Sequence, residues 1–198
     1  MSRYTGPKRR IARAANFPIF DKEDYKLRPG KPGQHKGGRP NNSPYAEQFA
    51  EKQKVKKIYG MSEKQFRRFF AMAQSDIGNT GAKFLELLER RLDNVVYRLK
   101  LANSRPAARQ LVAHGHILVN GKKLDIPSYI VDSGDQVTLK EKTKNNNYFV
   151  SMKEGMKVIE LPVWLEEYSD GGKVKLLPSR DMIDKTFRER LIVEFYSR

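Results

Sequence analysis

The chain has 198 residues, of which 39 are Lys or Arg and 23 are Asp or Glu, and 38% of its residues are apolar. Its formal net charge of +16 opposes folding and therefore indicates a polyanionic partner, either RNA, DNA or an anionic membrane. No apolar run in the sequence approaches the roughly 18 residues of a membrane-spanning helix. The lack of cysteine excludes disulfides, thiolate zinc sites and a cysteine nucleophile.

Residues 1–45 predict an extended basic arm. They carry 11 Lys or Arg against 3 acidic residues, together with six of the ten prolines. Such a segment buries too little apolar surface to fold by itself. Because Tyr4, Phe17, Phe20 and Tyr25 are interleaved with the charge, we expect the arm to become ordered only against RNA. The alternative is a disordered, solubilising tail.

Three helices are predicted after the arm. Ser43-Pro44 is typical of a helix start, and this helix should end at Gly60. Ser62-Glu63-Lys64-Gln65 is a capping box that opens a second helix, and Thr80 is predicted to cap a third. Apolar residues at helical spacing form the predicted buried side of the second helix: Phe66, Phe69, Phe70 and Ala73.

The next 50 residues predict two short helices followed by a small antiparallel sheet. The helices are expected at 92–99 and, capped by Ser104, at 105–114. Asn120-Gly121 is the strongest short signal for a hairpin turn, and it joins strands predicted at 116–119 and 122–124. A second turn at 132–135 leads into the alternating strand 136–140.

The last quarter of the chain is less regular. Asn145-Asn146-Asn147 predicts a linker, followed by a short helix that ends at Gly155. Residues 163–177 predict a hairpin with its turn at Ser169-Asp170-Gly171-Gly172. Residues 186–198 fit neither the helical nor the strand period, and both assignments stay open.

Signatures of catalysis are missing from the sequence. It has no Walker loop, no dinucleotide-binding glycine pattern, no zinc-protease helix motif and no nucleophile elbow. Of the three histidines, His114 and His116 flank Gly115 but lack further metal ligands nearby in sequence. His114 is interpreted either as an RNA contact or as a capping residue at a helix end.

A basic surface is predicted on the helix after Ser104. Arg105 and Arg109 are four residues apart and should share its exposed face, with Lys122 and Lys123 beside them at the hairpin. Guanidinium groups bind phosphate bidentately, so this face predicts contacts to the RNA backbone. The alternative is an ordinary solvated helix face.

Several of these segments resemble a known family. The segments 91–99, Ala108-Arg109-Gln110-Leu111-Val112 and Val119-Asn120-Gly121 resemble the S-four RNA-binding module, which also occurs in pseudouridine synthases and a tRNA synthetase. Further segments from both ends of the chain are similar to the S-four family of small-subunit ribosomal proteins: Arg3-Tyr4-Thr5-Gly6-Pro7, Pro32-Gly33-Gln34-His35, Glu51-Lys52-Gln53-Lys54, Tyr59-Gly60 and residues 191–197.

This resemblance implies an α+β fold in which the module is inserted into a helical domain. The expected parts are an extended basic arm (1–45), a helical rRNA-binding domain (46–90) that residues 180–198 complete, and the module with a C-terminal hairpin extension (91–179). The module itself should contain two helices and a small antiparallel sheet. An RNA-modifying enzyme is disfavoured because too few residues follow the module for a catalytic domain. A free-standing quality-control factor would not need the helical domain.

The resemblance also implies a function. The chain would be a non-enzymatic component of the small ribosomal subunit in the cytoplasm, bacterial or else organellar. It would bind a junction in the five-prime domain of the rRNA, nucleate assembly and influence translational accuracy. Its implied partners besides rRNA are ribosomal protein S-five and mRNA near the entry channel. No cofactor is implied, and no metal is expected because the family's N-terminal cysteine cluster is absent.

The candidate RNA contacts are basic side chains, with one amide, spread over all three parts. A family trend towards basic residues after His35 is diluted here by glycine and asparagine, which weakens the case for mRNA unwinding. The candidates are Arg3, Lys8, Arg9, Arg10, Arg13, Lys31, His35, Lys36, Arg39, Lys52, Lys54, Lys56, Lys57, Arg67, Arg68, Arg91, Arg98, Arg105, Arg109, Gln110, His114, Lys122 and Lys123.

Overall fold

The computed structural model describes Tyr4 and residues 6–19, 43–144 and 160–198. The chain divides into two units, which we call unit 1 (Met1–Gly81 with Lys185–Arg198) and unit 2 (Ala82–Asp184). Some residues singled out from the sequence lie outside the described residues: Arg3, Lys31, His35, Lys36, Arg39, the linker at 145–147 and the predicted helix ending at Gly155.

The predicted arm is not extended throughout, because Lys8–Ala15 forms helix α1. The helix buries Ile11 and Ala12, and Ile19 is buried just beyond it. Asn16 ends the helix in the left-handed conformation, with φ of 47°. The expectation of little regular structure is therefore wrong for this stretch, since its few apolar residues are spaced to cover one side of a helix that packs on α2 (Pro44–Ile58).

Three further helices lie in the described part of unit 1, and two of the three caps predicted before residue 90 are present. The third prediction is wrong, because Thr80 is already the first residue of its helix and the side chain of Asn79 accepts the hydrogen bond from the backbone N–H of Gly81. The Oγ of Ser43 accepts a hydrogen bond from the backbone N–H of Ala46 at 3.2 Å, and the Oγ of Ser62 accepts one from Gln65 at 3.3 Å. Residues 186–198, for which the sequence left helix and strand open, contain a helix that packs on α2. The helices of unit 1 after α1 are α2, α3 (Glu63–Gln74) and α8 (Glu189–Tyr196).

Unit 2 combines helices with a five-stranded antiparallel sheet in the order β2-β1-β3-β5-β4, and its α+β make-up agrees with the prediction. Its elements are α4 (Thr80–Glu89, which begins in unit 1), α5 (Leu92–Arg98), α6 (Arg105–Ala113), β1 (Ile117–Val119), β2 (Lys122–Lys123), β3 (Gln136–Leu139), α7 (Glu141–Lys144), β4 (Leu165–Tyr168), β5 (Gly171–Val174) and a 3₁₀ turn (Arg180–Met182). The boundary between the two units lies near the start of α4.

Two local features of unit 2 depart from the sequence analysis. Ser104 precedes α6, but its side chain makes no capping hydrogen bond to the helix. Gly171 and Gly172 belong to β5 and not to the turn. A Cβ on Gly171 would meet the backbone of Val137, so the close approach of β3 and β5 requires a residue without a side chain there.

The hairpin turn and the core of unit 2 agree with the sequence. Asn120 and Gly121 both have positive φ, 50° and 77°, as a type I′ turn requires. The core lies between α5, α6 and the sheet, and Trp164 is 1% exposed within it. Among the described residues, no helix is long and apolar enough to cross a membrane.

Candidate nucleic-acid interface

The exposed side of α3 is a fixed cationic surface of unit 1. Lys64, Arg67 and Arg68 are all exposed, and their spacing places them on one side of the helix. With Glu63 and Ala71 they line an open groove of ≈460 Å³. We call Lys64, Arg67 and Arg68 the α3 face. Within the described ranges, no carboxylate forms an ion pair with any of the three.

Packing on the opposite side holds the α3 face in place. The buried stripe of α3 is the one that the sequence predicts: Phe66, Phe69, Phe70 and Ala73. Arg67 and Arg68, both candidate RNA contacts from the sequence, lie off this stripe. Lys64 was missed, although its spacing of three and four residues from the two arginines is a signal that would have identified it.

Lys52 on α2 is structural in this fold. The residue is 5% exposed, and its Nζ lies 2.7 Å from Oε1 of Glu63 and 4.4 Å from the centre of the Phe195 ring. Burial favours the neutral acid, but hydrogen bonds from Lys52, Lys56 and Tyr196 outweigh it and lower the pKa of Glu63 to about 2. Lys52 is therefore corrected from a candidate RNA contact to a bridge between α2, α3 and α8.

The other α2 lysines are also held by the protein. Nζ of Lys54 donates to the carbonyl oxygen of Thr186 at 2.8 Å, and Nζ of Lys56 lies 2.7 Å from Glu63. Lys57 is half-buried, and its pKa is lowered by this burial and by the charge of Lys56. The helical period of α2 does not show which of its lysines face a neighbouring helix, so the sequence alone assigned all of them to RNA.

Arg91 is buried completely in unit 2. It is 0% exposed, and its Nε and Nη2 donate to the two carboxylate oxygens of Asp93 at 3.0 and 2.7 Å. Arg109 reaches the same carboxylate at 3.6 Å, and its side chain is only 19% exposed. Burial, partly offset by Asp93, lowers the pKa of the Arg109 guanidinium. Arg91 therefore cannot contact RNA in this fold, and Arg109 does not lie on an exposed face as predicted.

A second buried network holds Arg98 and Arg105. Glu89, which is 1% exposed, accepts hydrogen bonds from Arg98 at 2.9 and 3.1 Å and from the amide of Asn94 at 2.8 Å. Nε of Arg105 donates to the side-chain oxygen Oδ1 of Asn94 at 3.0 Å, and the Arg105 guanidinium lies 4.5 Å from the centre of the Tyr97 ring. The expectation that Arg105 lies on an exposed face is wrong, because its side chain is half-buried against α5.

The exposed polar residues of α6 and the hairpin are the remaining candidates in unit 2. Gln110, His114, Lys122 and Lys123 are exposed. Lys122 pairs with Val119 and Lys123 with Leu118 across the hairpin. Alternate residues of a strand face opposite sides, so the two lysines do not widen one surface as predicted.

The candidate RNA contacts on α1 also differ in their exposure. Lys8, Arg9 and Arg10 are exposed, whereas Arg13 is half-buried. Among the described residues, no group of three or more His, Cys, Asp or Glu side chains is placed to hold a metal ion. The candidate interface therefore consists of fixed cationic faces on an α+β scaffold.

Comparison with known proteins identifies the family of this scaffold. The model of the ribosomal protein S4/S9 N-terminal domain matches residues 3–89, and the S4 domain model matches residues 90–137. The chain is 48% identical to small ribosomal subunit protein uS4 of Caldicellulosiruptor saccharolyticus and of Halothermothrix orenii, and 46% identical to that of Pelobacter propionicus. Each match covers 100% of both chains.

The chain therefore belongs to the uS4 family of small ribosomal subunit proteins. This finding confirms the resemblance noted in the sequence. It also confirms that the chain is a structural protein and not an enzyme, because the homologues of this family are structural.

Proposed function

We propose that the chain binds small-subunit rRNA directly, at a junction of the five-prime domain, and that this binding nucleates subunit assembly. The observation that carries the proposal is the α3 face, where three cations without a carboxylate partner among the described residues line an open groove. As a member of a bacterial ribosomal family, the protein acts in the ribosome, in the cytoplasm.

The chemistry of the α3 face suits an RNA backbone. Arg67 and Arg68 can each offer a planar fork to a phosphate, and Lys64 adds a point charge. Because the opposite side of α3 is fixed in the core of unit 1, binding orders these side chains but not the backbone that carries them, which limits its entropic cost. Contacts of this kind fix the position of the RNA and do not read its sequence.

The test is to replace all three residues of the α3 face with glutamine. Each lost charge-assisted contact should cost about 1.5–3 kcal/mol, so affinity for a five-prime-domain transcript should fall at least a hundredfold. The matched control replaces Lys185, Arg188 and Arg190, three exposed cations of the same unit, with glutamine. Equal losses in the two variants would mean that only net charge matters, and an unchanged affinity in the α3 variant would overturn the proposal.

Contacts with ribosomal protein S-five and an influence on accuracy are proposed from the family resemblance. An aromatic cluster of the exposed Tyr45 and Phe49 with the half-buried Phe195, with ring centres 5.7–6.2 Å apart, suits a protein partner more than a phosphate. A photo-crosslinker at position 45 should capture that partner in assembled subunits, and capture of rRNA alone would contradict this assignment. Contact with mRNA depends on residues 31–39, which lie outside the described residues, and stays a prediction.

A further inference from the structure

Four basic residues lie near Gly115, where α6 ends and β1 begins. His114 is exposed at the end of α6, and the centre of its ring lies 6.2 Å from that of His116. Lys123 comes from the neighbouring strand β2, and Lys140 follows β3. We call His114, His116, Lys123 and Lys140 the Gly115 cluster. The sequence analysis assigned no role to His116 or Lys140.

Backbone hydrogen bonds fix the positions of these residues. The N–H of Lys140 donates to the carbonyl oxygen of His116 at 2.9 Å, and the N–H of His116 donates to that of Leu111 at 3.1 Å. Nδ1 of His116 also lies 2.9 Å from Oγ1 of Thr143 on α7. The cluster is therefore held by β3, α6 and α7 together.

Gly115 makes room for the lysine from β2. An added Cβ at Gly115 would clash with the end of the Lys123 side chain and lie 3.0 Å from its Nζ. Gly115 also has a φ of 70°, a conformation that residues with a side chain rarely adopt. The ammonium group of Lys123 consequently lies directly over the peptide that joins the two histidines.

The cluster has little negative charge to balance it. Within the described part of the chain, the nearest carboxylate pairing is between Lys123 and Asp125, at 3.8 Å with both side chains more than half exposed. Such pairs contribute little. On α7, Glu141 is engaged with Lys144 at 2.6 Å, and Lys144 also pairs with Asp170. Lys142, the other cation of α7, is exposed and adds to the positive field.

We propose that the Gly115 cluster is a phosphate-binding site for the RNA backbone, in which the two lysines supply permanent charge, His114 supplies a hydrogen-bond donor and His116 supplies charge that depends on pH. The proposal deepens the proposed rRNA binding and rests on it. The backbone places the four residues around the junction of α6 and β1, and a phosphate group accepts several charge-assisted hydrogen bonds at once.

His116 gives the site a defined pH response. The pKa of His116 is lowered by partial burial and by the positive charges of His114 and Lys140, so the free protein disfavours the charged form of its ring. A bound phosphate favours the protonated ring. Affinity for RNA therefore rises as the pH falls, because proton uptake and phosphate binding are linked.

The experiment compares three double variants by their affinity for a five-prime-domain transcript at about pH 8 and about pH 6, on either side of an ordinary histidine pKa. His114→Gln/His116→Gln should keep most of the affinity at the higher pH and lose the tightening at the lower pH. Lys123→Gln/Lys140→Gln should lose roughly tenfold or more at both, as expected for lost charge-assisted contacts.

The matched control is Lys173→Gln/Lys175→Gln, which removes the same charge from the other end of the sheet. Lys173 pairs with Gln136, whereas Lys140 lies beyond the opposite end of β3. The control should change affinity little, and thermal melts of all variants check that the fold is intact.

Two outcomes separate this inference from the proposed function. If the lysine variant matches the control, or if the histidine variant keeps the full pH response, the Gly115 cluster is not a phosphate site. If the α3 variant still loses affinity in the same assay, the proposed rRNA binding stands without it. If no variant binds less tightly than its control, both proposals fail.

Discussion

At the residue scale, burial decides which cations are available to a partner. Arg91 is 0% exposed, although the sequence places it among other basic residues of the RNA-binding module. Charged side chains are almost never fully buried unless they are paired, and Asp93 provides the pair. The sequence could not show this, because Arg91 and Asp93 are brought together by the turn into α5 and not by a helical spacing.

Replacing Arg91 with methionine should destabilise unit 2 strongly. Removing one partner of a buried ion pair costs about 3–5 kcal/mol, and Arg109, 3.6 Å from Asp93, compensates the remaining carboxylate only in part. Chemical denaturation should show this loss, whereas the exposed Lys122→Met should stay within about 0.5 kcal/mol of the wild type. Arg91→Met/Asp93→Leu should recover part of the stability, and a double variant as unstable as the sum of its single changes would contradict the pairing.

At the element scale, one carboxylate joins three helices of unit 1. Glu63 begins α3, accepts hydrogen bonds from Lys52 and Lys56 on α2, both at 2.7 Å, and accepts another from the hydroxyl of Tyr196 on α8 at 3.0 Å. Burial and the Glu63 charge raise the pKa of Tyr196. The junction therefore depends on Glu63 being ionised and on Tyr196 keeping its proton.

Unit 1 should lose stability in acid through this junction. The pKa of Glu63 is about 2 in the folded protein, below the roughly 4.3 of an unfolded glutamate. The folded state therefore favours the ionised form, and its stabilisation is complete above about pH 5 and disappears as the pH falls towards 2. Thermal melts across this range should show a shallower decline for Glu63→Gln, which lacks the titrating group. A Glu47→Gln control, on an exposed ion pair, should decline like the wild type.

The helices and the hairpin turn were predictable because their signals are local. The Ser43 and Ser62 caps and the Asn120-Gly121 turn depend on neighbours within a few residues, and each is present as expected. The location of α1 and the helical state of 189–196 depend on packing against α2. The α3 face was partly predicted from one helical period, while the Gly115 cluster joins three separate elements and has no short sequence signal.

At the scale of the whole molecule, the net charge of +16 is not evenly available. Lys52, Lys54 and Lys56 of α2 and the arginines at 91, 98, 105 and 109 are wholly or partly engaged inside their own units. The cations of the α3 face and the Gly115 cluster remain accessible. Formal charge therefore overstates the number of phosphates that this protein can neutralise.

The salt dependence of rRNA binding measures directly how many phosphates the protein neutralises. If about eight phosphates are contacted, the logarithm of the binding constant should fall with the logarithm of salt concentration with a slope of roughly −6 to −7. Replacing the α3 face should make the slope shallower by about two to three, because each lost phosphate contact removes about 0.7–0.9. A wild-type slope near −1 would mean that the basic surplus serves another purpose.

Unit 1 is discontinuous in sequence, and this has a consequence for synthesis. The segment that forms α8 is translated only after all of unit 2 (Ala82–Asp184). At a synthesis rate of about 5–20 residues per second, α2 and α3 are made several seconds or longer before the helix that covers Lys52 and supplies the Tyr196 hydroxyl to Glu63. A growing chain therefore exposes an aromatic, cationic surface that the finished protein conceals, and unit 2 can complete its fold before unit 1 does.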